Sequence, residues 1–165
     1  MSIRVRQATP PDVPTIVRFI RELAEYEKLL HECATREDEL ARHLFSERPI
    51  IEAVVGEIDS IPQGFALFFT NFSTFVCKPG IYLEDLYVTP DARGKGLGKA
   101  LLTHLARECV RRGYGRLEWS VLDWNTPAID FYRSLGAVPM SDWTVMRVSG
   151  SSLTRLGSAI EPNAR

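Results

Sequence analysis

The chain has 165 residues, 45% hydrophobic and 25% charged, with a formal net charge of −1 and a pI near 6.3. That suffices for one domain with a real core, and it excludes both a disordered chain and one drawn by net charge to nucleic acid or an anionic membrane. No apolar run approaches the roughly 18 residues of a membrane span, and the opening MSIRVRQATPPD has no signal-peptide core.

In chain order, Ile3–Ala8 alternates like a half-buried strand. Thr9, Pro10 and Asp12 then form a helix start, with Thr9 as cap and Asp12 completing a box. Val13, Ile16, Val17, Ile20, Leu23 and Ala24 mark one face of a helix reaching about Leu30. Thr35, with Asp38 three residues on, predicts a short second helix that ends before Pro49. Ile51–Ile58, Gly64–Phe72 and Tyr82–Thr89 read as strands. DSIPQ is a turn between the first two, and STFVCKPG is a loop between the second and third. Leu97, Leu101, Leu102, Leu105, Cys109 and Val110 form the stripe of a helix ending near Gly113. Arg116–Leu122 reads as a strand, Asn125–Gly136 as a capped helix, and Val145–Val148 as a last strand. The polar, aperiodic stretch from Gly150 predicts a frayed tail over 150–165, after one domain over 1–149. Adjacent strands followed by helix-linked strands imply a mixed α/β sheet covered by helices.

Cys33, Cys77 and Cys109 are odd in number and far apart, which fits reduced thiols in a cytoplasmic protein rather than a metal site or disulfide framework. His31, His43 and His104 are too scattered for a metal site, and His104 reads as a solvated helix residue. No nucleic-acid motif is present.

The informative stretch is RGKGLGKALL, Arg93–Leu102, where a strand feeds a glycine-rich turn that opens a helix. Free amides at a helix start favour an anion, and glycines let the backbone approach it. Arg93 and Lys95 add charge. A triphosphate loop needs glycine where Arg93 stands and Ser or Thr where Ala100 stands, so that spacing fails twice. The dinucleotide fingerprint G-x-G-x-x-G accepts Gly94 and Gly96 but meets Lys99 at its third glycine. A third pattern, Gln/Arg-x-x-Gly-x-Gly/Ala, fits Arg93, Gly96 and Gly98. It is followed in order by a helix, a strand, and Asn125-x-x-Ala128-x-x-Phe131-Tyr132.

On those residues the chain resembles the GNAT N-acetyltransferase superfamily. YLEDLYVTPDARGKGLG, VLDWN, AIDFYRSLGA and LAEYEKL resemble its diamine acetyltransferase branch, above all the thialysine-acetylating relatives. The resemblance runs to about Trp143. It implies a mixed, mostly antiparallel twisted sheet of six to seven strands, splayed between the fourth and fifth, with about four helices. It also implies acetyl-CoA as cosubstrate, no metal, a small-molecule amine as partner and a homodimer. The pantetheine arm would pair with Leu86, Tyr87 and Val88. The diphosphate would take amides of Gly94, Lys95, Gly96, Leu97, Gly98 and Lys99 beside Arg93, with Asn125, Ala128 and Tyr132 as the second cofactor segment. A bulge near Asp85–Leu86 would aim an amide at the thioester carbonyl.

The reaction implied is direct attack of the amine through a tetrahedral intermediate. Tyr132 would protonate the leaving thiolate; without the resemblance it reads as a half-buried aromatic on a helix. Glu84 and Asp85 are adjacent in a strand, so their side chains take opposite faces; solvated acids are the alternative. Glu84 is assigned amine binding or proton relay through water, with Asp85, Glu27 and Trp124 around the acceptor. The polyamine enzymes carry an acid in the loop corresponding to FSTFV, and this chain has none there; the region before Trp143 is also shorter, with Asp142 a loose match. Both departures favour a small amine or lysine-like amino acid over spermidine. Acetylation of a peptide amine or an antibiotic, and a non-catalytic CoA-binding module, remain as alternatives.

Overall fold

The computed structural model describes residues 1–158. The chain divides into two units, Met1–Asp123 and one that begins at Trp124.

In the first unit five strands form one sheet in the order β1-β2-β3-β4-β5: β1 Ile3–Gln7, β2 Glu52–Ile58, β3 Ile61–Ser73, β4 Lys78–Val88 and β5 Leu117–Trp119. The first four pair antiparallel and β4 pairs β5 in parallel. The count among the described residues is therefore five, against the six to seven expected. Helices α1 Val13–Tyr26 and α2 Glu37–Phe45 cover one face, and α3 Leu97–Arg111 covers the other. Ile16, Val17, Phe19 and Leu44 pack on Val55, Phe65, Leu67 and Tyr87 in one buried cluster. Because both faces are covered, β2 and the middle of β3 are continuously buried rather than alternating.

The start before α1 forms as the sequence predicts. The Asp12 carboxylate accepts from the Thr9 amide and hydroxyl, each at 2.8 Å. Arg6 adds a two-pronged pair to Asp12 and donates to Glu57 at 2.7 Å. Several boundaries move. The helix expected to reach Leu30 stops at Tyr26, because Lys28 takes φ +63°. Arg36, not Thr35, caps α2, and its guanidinium binds Asp38. The turn before β3 is only Asp59-Ser60, both at positive φ, which suits a tight hairpin. Pro62 then fits inside β3 because the register slips one residue beside it. Lys78–Gly80, expected in a loop, pair with Asn71–Ser73 as the start of β4. Strand β5 is three residues rather than seven, since pairing lasts only where Ile81–Leu83 run beside Leu117–Trp119. Beyond that point β4 continues to Val88 with no neighbour on that side among the described residues, so the sheet opens between the fourth and fifth strands.

In the second unit, α4 spans Thr126–Ser134 and ends where Gly136 takes φ +91°. The strand expected at Val145–Val148 does not form: none of the described residues pairs with it, and Val145 and Met146 are exposed. Where a frayed tail was expected, a short helix α5 spans Gly150–Gly157 with its residues exposed.

Candidate active site

The first unit gathers most of the expected site at the carboxyl end of β4. The β3–β4 register pairs Phe68 with Leu83 and Leu67 with Asp85, leaving Glu84 as the extra residue of a bulge. The bulge thus lies one residue earlier than expected. It also overrides the simple alternation. Before it, Leu83 sits opposite Phe68; after it, Asp85 and Tyr87 sit opposite Leu67 and Phe65, on the face that α1 covers.

That shift brings Asp85 toward the end of α1. Its acid is pushed up to about 6, first by burial, then by the charges of Glu84 and Glu27. Glu27 caps the C-terminal end of α1, where the helix dipole is negative, and burial raises its acid too. Glu84 is exposed. No ion pair among the described residues involves Glu27, Glu84 or Asp85. Asp85 thus feels the charges of two further acids beside the negative end of a helix, a concentration of negative charge suited to a cation.

Next to them runs the open edge of β4. The Thr89 amide donates to Gln63 on β3, so the groups of Tyr87 face β3 and those of Leu86 and Val88 face the gap. Of the three residues expected to pair with a pantetheine arm, Tyr87 therefore contributes no outward backbone group. The Val88 carbonyl already accepts from Arg93 Nε at 3.0 Å. The Arg93 guanidinium stands 4.9 Å from the Tyr26 ring centre and 5.8 Å from that of Tyr87. Arg93 thus braces the loop against β4 and α1. Tyr26 and Gln63 are the residues that sequence reasoning passed over. Tyr26 lay within the quoted LAEYEKL, whereas nothing in the sequence marks Gln63, whose amide oxygen accepts from the Thr89 hydroxyl at 2.5 Å.

The loop fits a diphosphate. Gly94 and Gly96 take φ +73° and +91°, and Gly96 is the N-cap of α3. A Cβ at Gly94 would meet nothing within 4 Å, so the space above that backbone is open. The amides of Leu97, Gly98 and Lys99 precede the first intrahelical acceptor bond, which runs from Ala100 to Gly96 at 3.0 Å. Lys95 and Lys99 are exposed beside them.

The remaining expected residues belong to the second unit. Asn125 is buried and caps α4, accepting from the Ala128 amide at 3.4 Å. Tyr132 lies on α4, half-buried, its ring 5.5 Å from that of Phe131. Trp124, just before the helix, is half-exposed. Among the described residues no group of His, Cys, Asp and Glu could hold a metal ion, and no helix is long and apolar enough to cross a membrane.

Comparison with known proteins gives the family. The sequence model of the Acetyltransferase (GNAT) family matches residues 17–137. The thialysine N-epsilon-acetyltransferase of Bos taurus is 36% identical over 93% of this chain and 96% of its own. The L-ornithine N5-acetyltransferase NATA1 of Arabidopsis thaliana is 33% identical over 93% and 87%. An integron cassette protein from V. cholerae superposes with a TM-score of 0.79 at 28% identity, covering 96% of this chain and 99% of its own. GNAT acetyltransferases take the acetyl group from acetyl-CoA. The chain belongs to the GNAT family, as an acetyl-CoA-dependent N-acetyltransferase.

Proposed function

We propose that the chain moves the acetyl group of acetyl-CoA to the terminal primary amine of a small basic amino acid, of the ornithine, lysine or thialysine kind. The observation that carries this is the acid wall of Glu27, Glu84 and Asp85, with the raised Asp85 beside the end of α1. The relatives named for ornithine and thialysine share that acceptor chemistry.

An alkylammonium titrates near 10.4 and must lose its proton before it attacks. Glu27 and Glu84 draw the cation. Asp85, poised nearer neutrality, takes over the proton-accepting role that the sequence suggested for Glu84, whose part becomes binding and relay through water. The backbone donor for the developing oxyanion is an amide at the Glu84 bulge. Leu86 and Val88 offer outward groups to the pantetheine arm, and the amides from Gly94 to Lys99 hold the diphosphate. Tyr132 keeps the role of proton donor to the departing thiolate, and Asn125, Ala128 and Trp124 their places in the cofactor and acceptor segments. The reading includes a homodimer, supported by exposed Val138, Met140, Trp143, Val145 and Met146, and a cytoplasmic location, supported by three free thiols.

The test is thiol release from acetyl-CoA with ornithine, lysine, thialysine, putrescine and spermidine, alongside calorimetry with CoA. Higher kcat/KM on the amino acids is expected. A spermidine preference overturns the acceptor assignment, and absence of CoA uptake overturns the whole reading.

A further inference from the structure

The helix that opens at the glycine loop carries a second feature on its other flank. A cleft of about 410 Å³ lies between α3 and β1, lined by Ile3, Val5, Lys99, Thr103, His104 and Arg107. Lys99, Thr103 and Arg107 stand at i, i+4 and i+8, one row along the helix, with His104 in the adjoining row. No lining residue is acidic. Lys99, His104 and Arg107 take part in no salt bridge with a described carboxylate. His104, expected to be solvated, is half-buried here.

The strand side contributes as well. β1 is the sheet edge, and among the described residues it pairs only with β2. The Ser2 carbonyl accepts from Asp59, and the Ala8 amide donates to Ala53. By alternation, the amides and carbonyls of Ile3 and Val5 point outward along the unpaired edge. The cleft therefore combines an apolar floor, outward backbone donors and acceptors, a hydroxyl and three nitrogen-bearing side chains. Its size is that of a small-molecule site.

It adjoins the cofactor loop, sharing Gly96 and Lys99 with it, and runs from there along α3 toward Arg107, away from the acetyl-transfer opening. The opening between β4 and β5 lies at the opposite end of the strand order from β1, and the cleft meets the diphosphate loop only at Gly96 and Lys99. We propose that this cleft is a second anion site, which binds a phosphate monoester of a small polar molecule. A dianionic phosphate with three acceptor oxygens matches a fork-shaped guanidinium, a point-charge ammonium and a hydroxyl on one helix row. The outward groups of Ile3 and Val5 take the ligand's hydroxyls.

Glycerol 3-phosphate is the probe. Amide and imidazole NMR shifts are followed during titration at physiological salt, with and without saturating CoA. Saturable shifts at Ile3, Val5, Thr103 and His104 in both states are expected. Arg107→Gln and His104→Asn, each checked by its melting curve and amide spectrum, should together weaken binding about tenfold or more, with acetyl transfer in the absence of the ester unchanged. Shifts confined to Gly94–Gly98, loss of all shifts when CoA is present, or undiminished binding by the folded variants overturns the proposal. Inorganic phosphate binding as tightly as the ester overturns the assignment of an ester. The titration without CoA reads the cleft even if CoA fails to bind, so the two readings fail separately.

Discussion

In the proposed mechanism Asp85 couples activity and stability in opposite directions. Its folded acid stands near 6, above the ordinary 3.8. Its protonated form is therefore favoured by folding: the contribution is full below pH 3.8 and lost as pH rises through about 6. Asp85→Asn should raise the melting temperature at pH 8 by a few degrees and change it little at pH 3.5. The same substitution should lower kcat by roughly 10²–10⁴, the scale of a positioned proton acceptor, and abolish the acid limb of kcat/KM near pH 6. Glu84→Gln should instead raise KM for the amine with a smaller loss of kcat. If Glu84→Gln removes the acid limb and Asp85→Asn keeps it, the roles are reversed. Tyr132→Phe should depress kcat far more than CoA affinity, since it removes only a proton; unchanged turnover assigns that proton to water. Both acids and the tyrosine were legible in the sequence as residue types in a family pattern. Which acid turns toward Glu27 was not, because a bulge one residue earlier than expected reverses the alternation.

The elements whose signals are local came through well. Thr9, Pro10 and Asp12 set a helix start through bonds that lie within four residues, and Asn125 caps α4 as the reading of Asn125–Gly136 as a capped helix expects. The stripe from Leu97 to Cys109 gave α3 because one face of it is buried. Strand limits were less legible, since a strand lasts only while a partner runs beside it. Nothing in RLEWSVL tells that pairing ends at Trp119, and VMRV has strand composition but no partner among the described residues. The glycine loop yields an element-scale prediction. Gly96→Ala forces a side chain into φ +91°, which costs about 1–2 kcal/mol. It should lower the melting temperature and weaken CoA binding in calorimetry, with less effect on KM for the amine.

At the scale of the molecule, the fold class was legible because adjacent strands followed by helix-linked strands imply a mixed sheet covered by helices, and the continuously buried runs of β2 and β3 agree with two covered faces. The open gap beyond Leu83 was implied by family resemblance, and the short parallel pairing agrees with it. The Arg6 network was not legible, because Arg6, Asp12 and Glu57 meet only after β1, α1 and β2 assemble. Arg6 holds the Asp12 carboxyl down to about 2, against an ordinary 3.8. A depressed acid stabilises the fold above pH 3.8, and that contribution disappears as pH falls toward 2. Asp12→Asn should cost roughly 2–3 kcal/mol at pH 7, the scale of charge-assisted bonds lost from a buried group. It should also flatten the pH dependence of denaturant midpoints between 4 and 2.

The surplus residue in β4 acts as a phase changer. Every side chain downstream of Glu84 occupies the side of the sheet that an uninterrupted ladder would have given to its neighbour. A chain shortened by that one residue would keep its glycine turn and the segment from Asn125 to Tyr132. It would nonetheless turn Tyr87 out of the hydrophobic cluster and Asp85 away from Glu27. Among proteins of this kind, a single-codon deletion there should silence the enzyme more thoroughly than any point replacement nearby.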